Sequence, residues 1–414
     1  MDQNRMIPGS DRTGWRLLPA AKSIVPLALT ILLLHGGDVR AQVRGIRSPA
    51  GEGSGQPSLS VSPAGRVYLS WIEPAGGKGH ALKFATLGET VWSVPRTIAT
   101  GEDWFVNWAD FPSLAIFPDS SMAAHWLARS GPESYAYDVR ISRSYDGGTT
   151  WTLPLTPHRD STQTEHGFVS LFPAPDGNPG AVWLDGREMT GGEGKHGGGN
   201  MTLRYVSLPR DGDPSGGVVL DEKVCECCQT SAAVTSEGPI VVYRDRLEGE
   251  VRDISIVRWS DDRWSSPQTV SRDGWTINGC PVNGPAIDAS GSRVAVSWFT
   301  AAGDTPRVKI AFSRDAGATF DGPIVVDDGS PSGRVDIVLL DDGSAMVSWL
   351  ERVAGGGELR ARQVWMDGRL APSMTIAPSG TARSSGFPRM VRSGEKIVFA
   401  WTGDGVRTAV RSLP

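Results

Sequence analysis

The sequence is short of sulfur, of net charge and of long apolar runs. Only four of its 414 residues are cysteine. That excludes a disulfide-dense miniature scaffold. A formal charge of −5 leaves no basic surplus for a nucleic-acid groove or an anionic membrane surface. Aromatic residues other than the 15 tryptophans are few. One apolar run stands out, from Ile24 to Leu34. It is far shorter than the roughly 20 residues of a membrane span. With Arg12, Arg16 and Lys22 before it and Ala41 behind it, the run has the layout of a secretory signal peptide cleaved after Ala41. The expected organisation is a leader over residues 1–41 and one domain over 42–414, secreted or periplasmic. Nothing in the sequence names a partner protein.

What is plentiful is turn chemistry, with 51 glycines and 29 prolines. The stretch Ser144-Tyr145-Asp146-Gly147-Gly148-Thr149-Thr150-Trp151 fits Ser-x-Asp-x-Gly-x-Thr-Trp, and Ser313 to Phe320 fits it again. A decayed copy is placed at Ser260 to Trp264. In such a turn Asp accepts from amides, Gly supplies positive φ, and the aromatic ring plugs between sheets. A second repeat is longer: a turn, an apolar alternation, then an aromatic residue. Its aromatic ends are Trp71, Trp126, Trp183, Tyr243, Trp298, Trp349 and Trp401, at steps of 51 to 60 residues. Short strands at such a period mean an all-β propeller of four-stranded antiparallel blades. Seven blades are preferred. The last unit ends without an outer strand, so Gln42 to Ile46 is expected to supply it and close the ring.

The turn motifs resemble the Asp-box (BNR) repeat of sialidases and related β-propellers. Asp-box sialidases are six-bladed, which makes six the alternative to the seven counted here. The resemblance implies three arginines on a substrate carboxylate, a Tyr nucleophile assisted by Glu, and an Asp acid/base. The Arg-Ile-Pro motif it also implies is missing, and Gln56-Pro57-Ser58 stands in its place. A glycan or another polar, anionic ligand is therefore expected rather than exo-sialidase activity. A binding scaffold without catalysis is the third possibility.

Strands A to D of each blade run outward from the axis, so the D–A and B–C loops open on one face. Candidate catalytic residues there are Asp185, Glu188, Tyr243 and Asp245. Candidate ligand-binding residues are Trp104, Trp108, Glu165, Arg187, Arg244, Arg246 and Arg334. Tyr243 also occupies the aromatic end of strand B, which is a packing position. All four cysteines fall in consecutive loops of that face: Cys225, Cys227 and Cys228 lead into blade 4, and Cys280 leads into blade 5. Disulfides are one reading for an exported chain. A thiolate site for copper or zinc, or a redox site, with His166 joining the thiols, is the other. Gly191 to Gly199, with Lys195 and His196, reads as a hairpin tip rather than a phosphate loop.

Overall fold

In a computed structural model, residues 42–189, 198–211, 214 and 217–413 are described. The leader expected over 1–41, and the part of the hairpin tip that carries Lys195 and His196, lie outside them. The described chain is all-β, apart from three single turns of 3-10 helix at Glu248–Glu250, Ala302–Asp304 and Arg383–Ser385. Seven antiparallel sheets form the blades of a propeller. Their inner strands, A, are Gly55–Val61, Ser113–Ile116, His166–Pro173, Ser231–Val234, Ala286–Ser290, Pro331–Leu339 and Arg389–Ser393.

The core lies between blades. Seven apolar clusters each join two neighbouring blades, and the one that contains Leu69 and Trp71 of blade 1 also contains Val398 and Ala400 of blade 7. Strand B is buried on both faces, so it reads as a continuous apolar run ended by an aromatic ring. Trp71, Trp183, Trp298 and Trp349 are fully buried. Each such ring removes about 150–250 Å² from water, an upper estimate of roughly 4–6 kcal/mol at about 25 cal/mol per Å². Burial also strands an indole N–H, and a carboxylate meets it. Trp71 donates to Glu73 at 2.7 Å, Trp183 to Asp185 at 2.7 Å, and Trp349 to Glu351 at 2.6 Å. A Trp-x-acid phrase thus recurs in three blades.

The ring closes as the sequence implied. Arg44–Ile46 pairs antiparallel with Gly405–Ser412, setting Arg44 opposite Val410 and Ile46 opposite Thr408. Both full turn motifs fold as expected. Asp146 accepts from the amides of Thr149 and Thr150, each at 2.9 Å, and Ser144 Oγ accepts from Gly148 at 2.8 Å. A Cβ on Gly148 would lie 2.6 Å from Phe84 of blade 1, so the turn can sit against that blade only as glycine. Asp315 repeats the pattern with the amide and hydroxyl of Thr319, at 2.9 and 2.6 Å. The stretch at Ser260 differs. It is a tight hairpin through Asp261 and Asp262, with φ of 50° and 57°, pairing Trp259 with Trp264. Blade 2 departs too: its outer strand is reduced to one bridge, Ile141 to Leu155. Pro154 and Pro157 flank that bridge and have no N–H to extend it.

Candidate functional site

The loops that lead into strands A converge at the axis on one face. They enclose a cavity of about 400 Å³, lined among others by Trp108, Asp110, Tyr135, Tyr137, Glu165, Cys227, Cys280 and Arg383. Asp110 leads into blade 2 and Glu165 into blade 3. Tyr137 opens strand C of blade 2 (Tyr137–Ser144) and bridges to Glu165 through the backbone.

Three of these side chains form a bonded trio. The Tyr137 hydroxyl lies 2.7 Å from Glu165 Oε1 and 3.0 Å from Asp110 Oδ2. A phenol has one hydrogen and can donate to only one of the two. The other contact is a hydrogen bond only if a carboxyl O–H donates to the phenol oxygen. Two hydrogen bonds at once therefore require a proton on one of the carboxyls. Electrostatics agree. Burial pushes Asp110 up to about 7, against hydrogen bonds from Phe168 and Tyr137. Burial pushes Glu165 up to about 8, and the charges of Asp110, Cys280 and Glu226 add to it. Asp110 and Tyr137 are buried, while Glu165 keeps part of its surface open to the cavity. Asp110 is seated by backbone geometry. Its Oδ1 accepts from Phe168 N at 2.8 Å, and a Cβ on Gly167 would lie 1.9 Å from its Oδ2.

Beside the trio stands a cationic, aromatic corner. Trp108 stacks on Phe387 at 5.9 Å, with Arg334 at 4.9 Å and Arg383 at 5.9 Å from its ring. Arg334 sits at a bulge between Gly333 and Asp336 with φ of 57°, a conformation that re-aims its side chain. Burial and the charge of Arg383 pull the Arg334 guanidinium down to about 10. Arg334 is buried and donates to Ala382 O at 3.1 Å and Gly386 O at 3.0 Å, so it braces the corner from behind, while Arg383 lines the cavity and suits an anion there.

The other candidates are held in place by partners. Trp104 is buried and stacked on Trp126 at 5.6 Å. Tyr243 is buried at its packing position and donates to Asp221 at 2.6 Å. Asp185 accepts from Trp183 and takes Arg187 two-handed, at 2.7 and 2.6 Å. Glu188 is exposed and pairs with Arg204 at 3.3 Å. Asp245 accepts from Arg246 N and Ser255 Oγ, each at 2.7 Å, and burial pushes it up to about 6. Arg246 binds Glu226 and Glu250. Arg244 donates to the carbonyls of Asn283, Arg252 and Phe299.

His166 turns to a carboxylate cluster. Its ring stacks on His158, with centroids 3.8 Å apart and planes 4° apart, and Asp160 lies 3.3 Å from Nε2. Burial pulls His166 down, but Asp160, Asp185 and Asp138 together hold it above its ordinary value. Burial and the neighbouring His166 pull His158 down to about 4. Donor atoms here approach within 4.8 Å of one another, as a metal would need. Parallel rings, however, send their lone pairs along parallel lines, and Arg187 already neutralises Asp160 and Asp185. The cluster is an ion-pair network.

No disulfide joins the four cysteines. Cys225 Sγ lies 3.5 Å from Cys228 and 3.9 Å from Cys227. Cys280 lies beside Cys227 and, like it, lines the cavity. Burial pushes Cys225 up to about 12.

Sequence reasoning missed Tyr137 and Tyr135. The phrase Tyr135-Ala136-Tyr137, where a B–C loop returns into strand C, was the available signal. Alternate residues there share a face.

No protein-family model matches the chain, and no curated protein matches it. Solved structures do. A protein of unknown function from Dyadobacter fermentans matches with a TM-score of 0.50 at 13% identity, over 91% of this chain and 98% of that one. The polysaccharide lyase Uly1 matches at 0.51 and 11% identity, over 95% and 96%. A NanB sialidase from Streptococcus pneumoniae aligns at 0.45 and 10% identity, over 90% and 92%. At such identities the likeness is one of fold.

Proposed function

We propose that this chain is an exported protein that binds an acidic glycan in the axial cavity and cleaves it by proton transfer from Glu165. The observation that carries this reading is the contact of Tyr137 with Glu165 at 2.7 Å and with Asp110 at 3.0 Å at the cavity wall. A carboxyl with a pKa near 8 is an acid at neutral pH, and Glu165 is the member of the trio that reaches the cavity. Bound beneath a glycosidic oxygen, it donates its proton to the leaving group as the C–O bond breaks; water supplies hydroxide to the anomeric carbon and its other proton passes through solvent back to Glu165. Tyr137 and Asp110 position it and keep its proton in place. Trp108 lines the cavity and offers apolar contact to a sugar, and Arg383 beside it offers charge to a carboxylate or sulfate. Uly1 is named a polysaccharide lyase; the reading here rests on the cavity, with that likeness as company.

The test uses protein recovered from the exported fraction, whose first residue should be Gln42. It is incubated with a panel of acidic polysaccharides, and new chain ends are counted. Glu165→Gln should lower turnover by about 10²–10⁴-fold with binding retained. Arg383→Ala should raise KM more than it lowers kcat. Retained glycan with no new chain ends from any polysaccharide would leave binding and remove the chemistry.

A further inference from the structure

We propose that Cys225, Cys227 and Cys228 bind a zinc ion as three thiolates, with the fourth zinc position opening toward Cys280 and the cavity. The sulfur spacing is the first support. Zinc–sulfur bonds of about 2.3 Å at tetrahedral angles set sulfurs about 3.8 Å apart. Here they stand 3.5 and 3.9 Å apart, and all three lie within 4.8 Å of one another.

Charge is the second and independent support. Arg244 is almost wholly buried, at 1% exposure. Four hydrogen bonds run from it to neutral carbonyls, of Asn283, Arg252 and Phe299, at 2.5–3.0 Å, and its guanidinium lies 4.9 Å from the Trp275 ring. Among the described residues no carboxylate pairs with it. A buried, unpaired cation is costly, so a nearby anion is called for. The other two arginines of the neighbourhood cannot be that excess, because Arg246 and Arg252 are each matched by Glu226 and Glu250. Asn283 joins Arg244 to the thiols: its carbonyl accepts from Arg244, while its N–H donates to Cys228 Sγ at 3.4 Å. An amide given to sulfur marks the sulfur as an acceptor, and metal thiolates are held by such bonds.

The same arithmetic selects the ion. Three thiolates on a divalent metal carry one negative charge, which Arg244 balances. Copper(I) in their midst would leave two. A fourth thiolate on zinc would also leave two, so Cys280 stays outside the ligand set. Binding releases the thiol protons to solvent. Three protein ligands and one open position is the pattern of zinc sites that meet a substrate or water. This inference stands apart from the proton trio and does not need a glycan.

The test is made on the full chain, expressed with zinc chloride and purified without chelator. Metal content is measured by mass spectrometry, and thiols are alkylated under denaturing conditions after zinc removal. About one zinc per chain and four alkylated cysteines are expected. Cys227→Ser and Cys228→Ser should lower zinc content at least about tenfold, and Cys280→Ser should keep it. Cys227 is only half-buried, so its variant reports even where Cys228→Ser fails to fold. Cobalt(II) exchanged into the site should show sulfur-to-metal charge transfer that the Cys227→Ser protein lacks. Copper in place of zinc, zinc lost on Cys280→Ser, or fewer than four alkylated cysteines would each overturn the proposal.

Discussion

At the scale of single residues, the decisive feature is that a phenol has one proton and two carboxyl neighbours. Glu165 and Asp110 both hold protons more tightly folded than unfolded, with values of about 8 and about 7. Raised carboxyl values lend stability that is full below about pH 4 and is lost as pH rises through 7 and 8. The unfolding midpoint of the parent should therefore fall between pH 6 and pH 9. The double variant Asp110→Asn, Glu165→Gln should fall less over the same range. An identical fall in both proteins, followed by thermal unfolding, would remove the trio as the cause. Residue scale is also where sequence reasoning ran thinnest. Asp185 looked free to act because a catalytic acid and an acid that caps an indole are spelled alike; Trp71-Ile72-Glu73 and Trp349-Leu350-Glu351 show the spelling belongs to the blade. Glu165 was legible as a loop acid on the right face. Tyr137 was not, because its worth depends on two acids 27 and 28 residues away in sequence.

At the scale of elements, the chain was largely legible. Strand B announces itself by a two-sided apolar run with an aromatic end, and strands A and C follow from its neighbours. The two Asp-box turns were legible because each is a local machine: every bond Asp315 makes falls within its own turn. Hydrogen bonds from Thr319 and Ser313 hold Asp315 down to about 2. Its contribution is present at neutral pH and is lost as pH falls from about 4 toward 2. Asp315→Ala should lower the midpoint more at pH 7 than at pH 2, where about half of the parent carboxylate is protonated; equal losses at both values would show that the charge is not what holds the turn. Blade 2 was legible only up to its outer edge, since proline erases a ladder without erasing the apolar pattern that suggests one. The cavity wall was less legible still. It is assembled from loops of five blades, and loops carry no period.

At the scale of the whole molecule, stability is shared around a ring in which every blade has two neighbours and none is terminal. The seam is the pairing of Arg44–Ile46 with the last blade, supported by Thr408 Oγ1 donating to Ile46 O at 3.0 Å. Deleting residues 42–48 should expose the edge of Gly405–Ser412, lower the unfolding midpoint and raise the tendency to associate. Scanning calorimetry and light scattering read both. An unchanged midpoint would mean that the ring is held by its interblade cores alone.

The seam also sets an order of events. Thr408 and Ile46 are 362 residues apart, so the strand synthesised first finds its place only beside the strand synthesised last. Until then blade 7 has an open flank and the ring has a gap. Closing so long a loop costs little more than closing one half its length, about 0.6 kcal/mol per doubling, yet the pairing cannot begin before both ends exist. Blades 1 to 6 can therefore form in turn as the chain is made, while the ring as a whole gains its full stability only when that last pairing closes it.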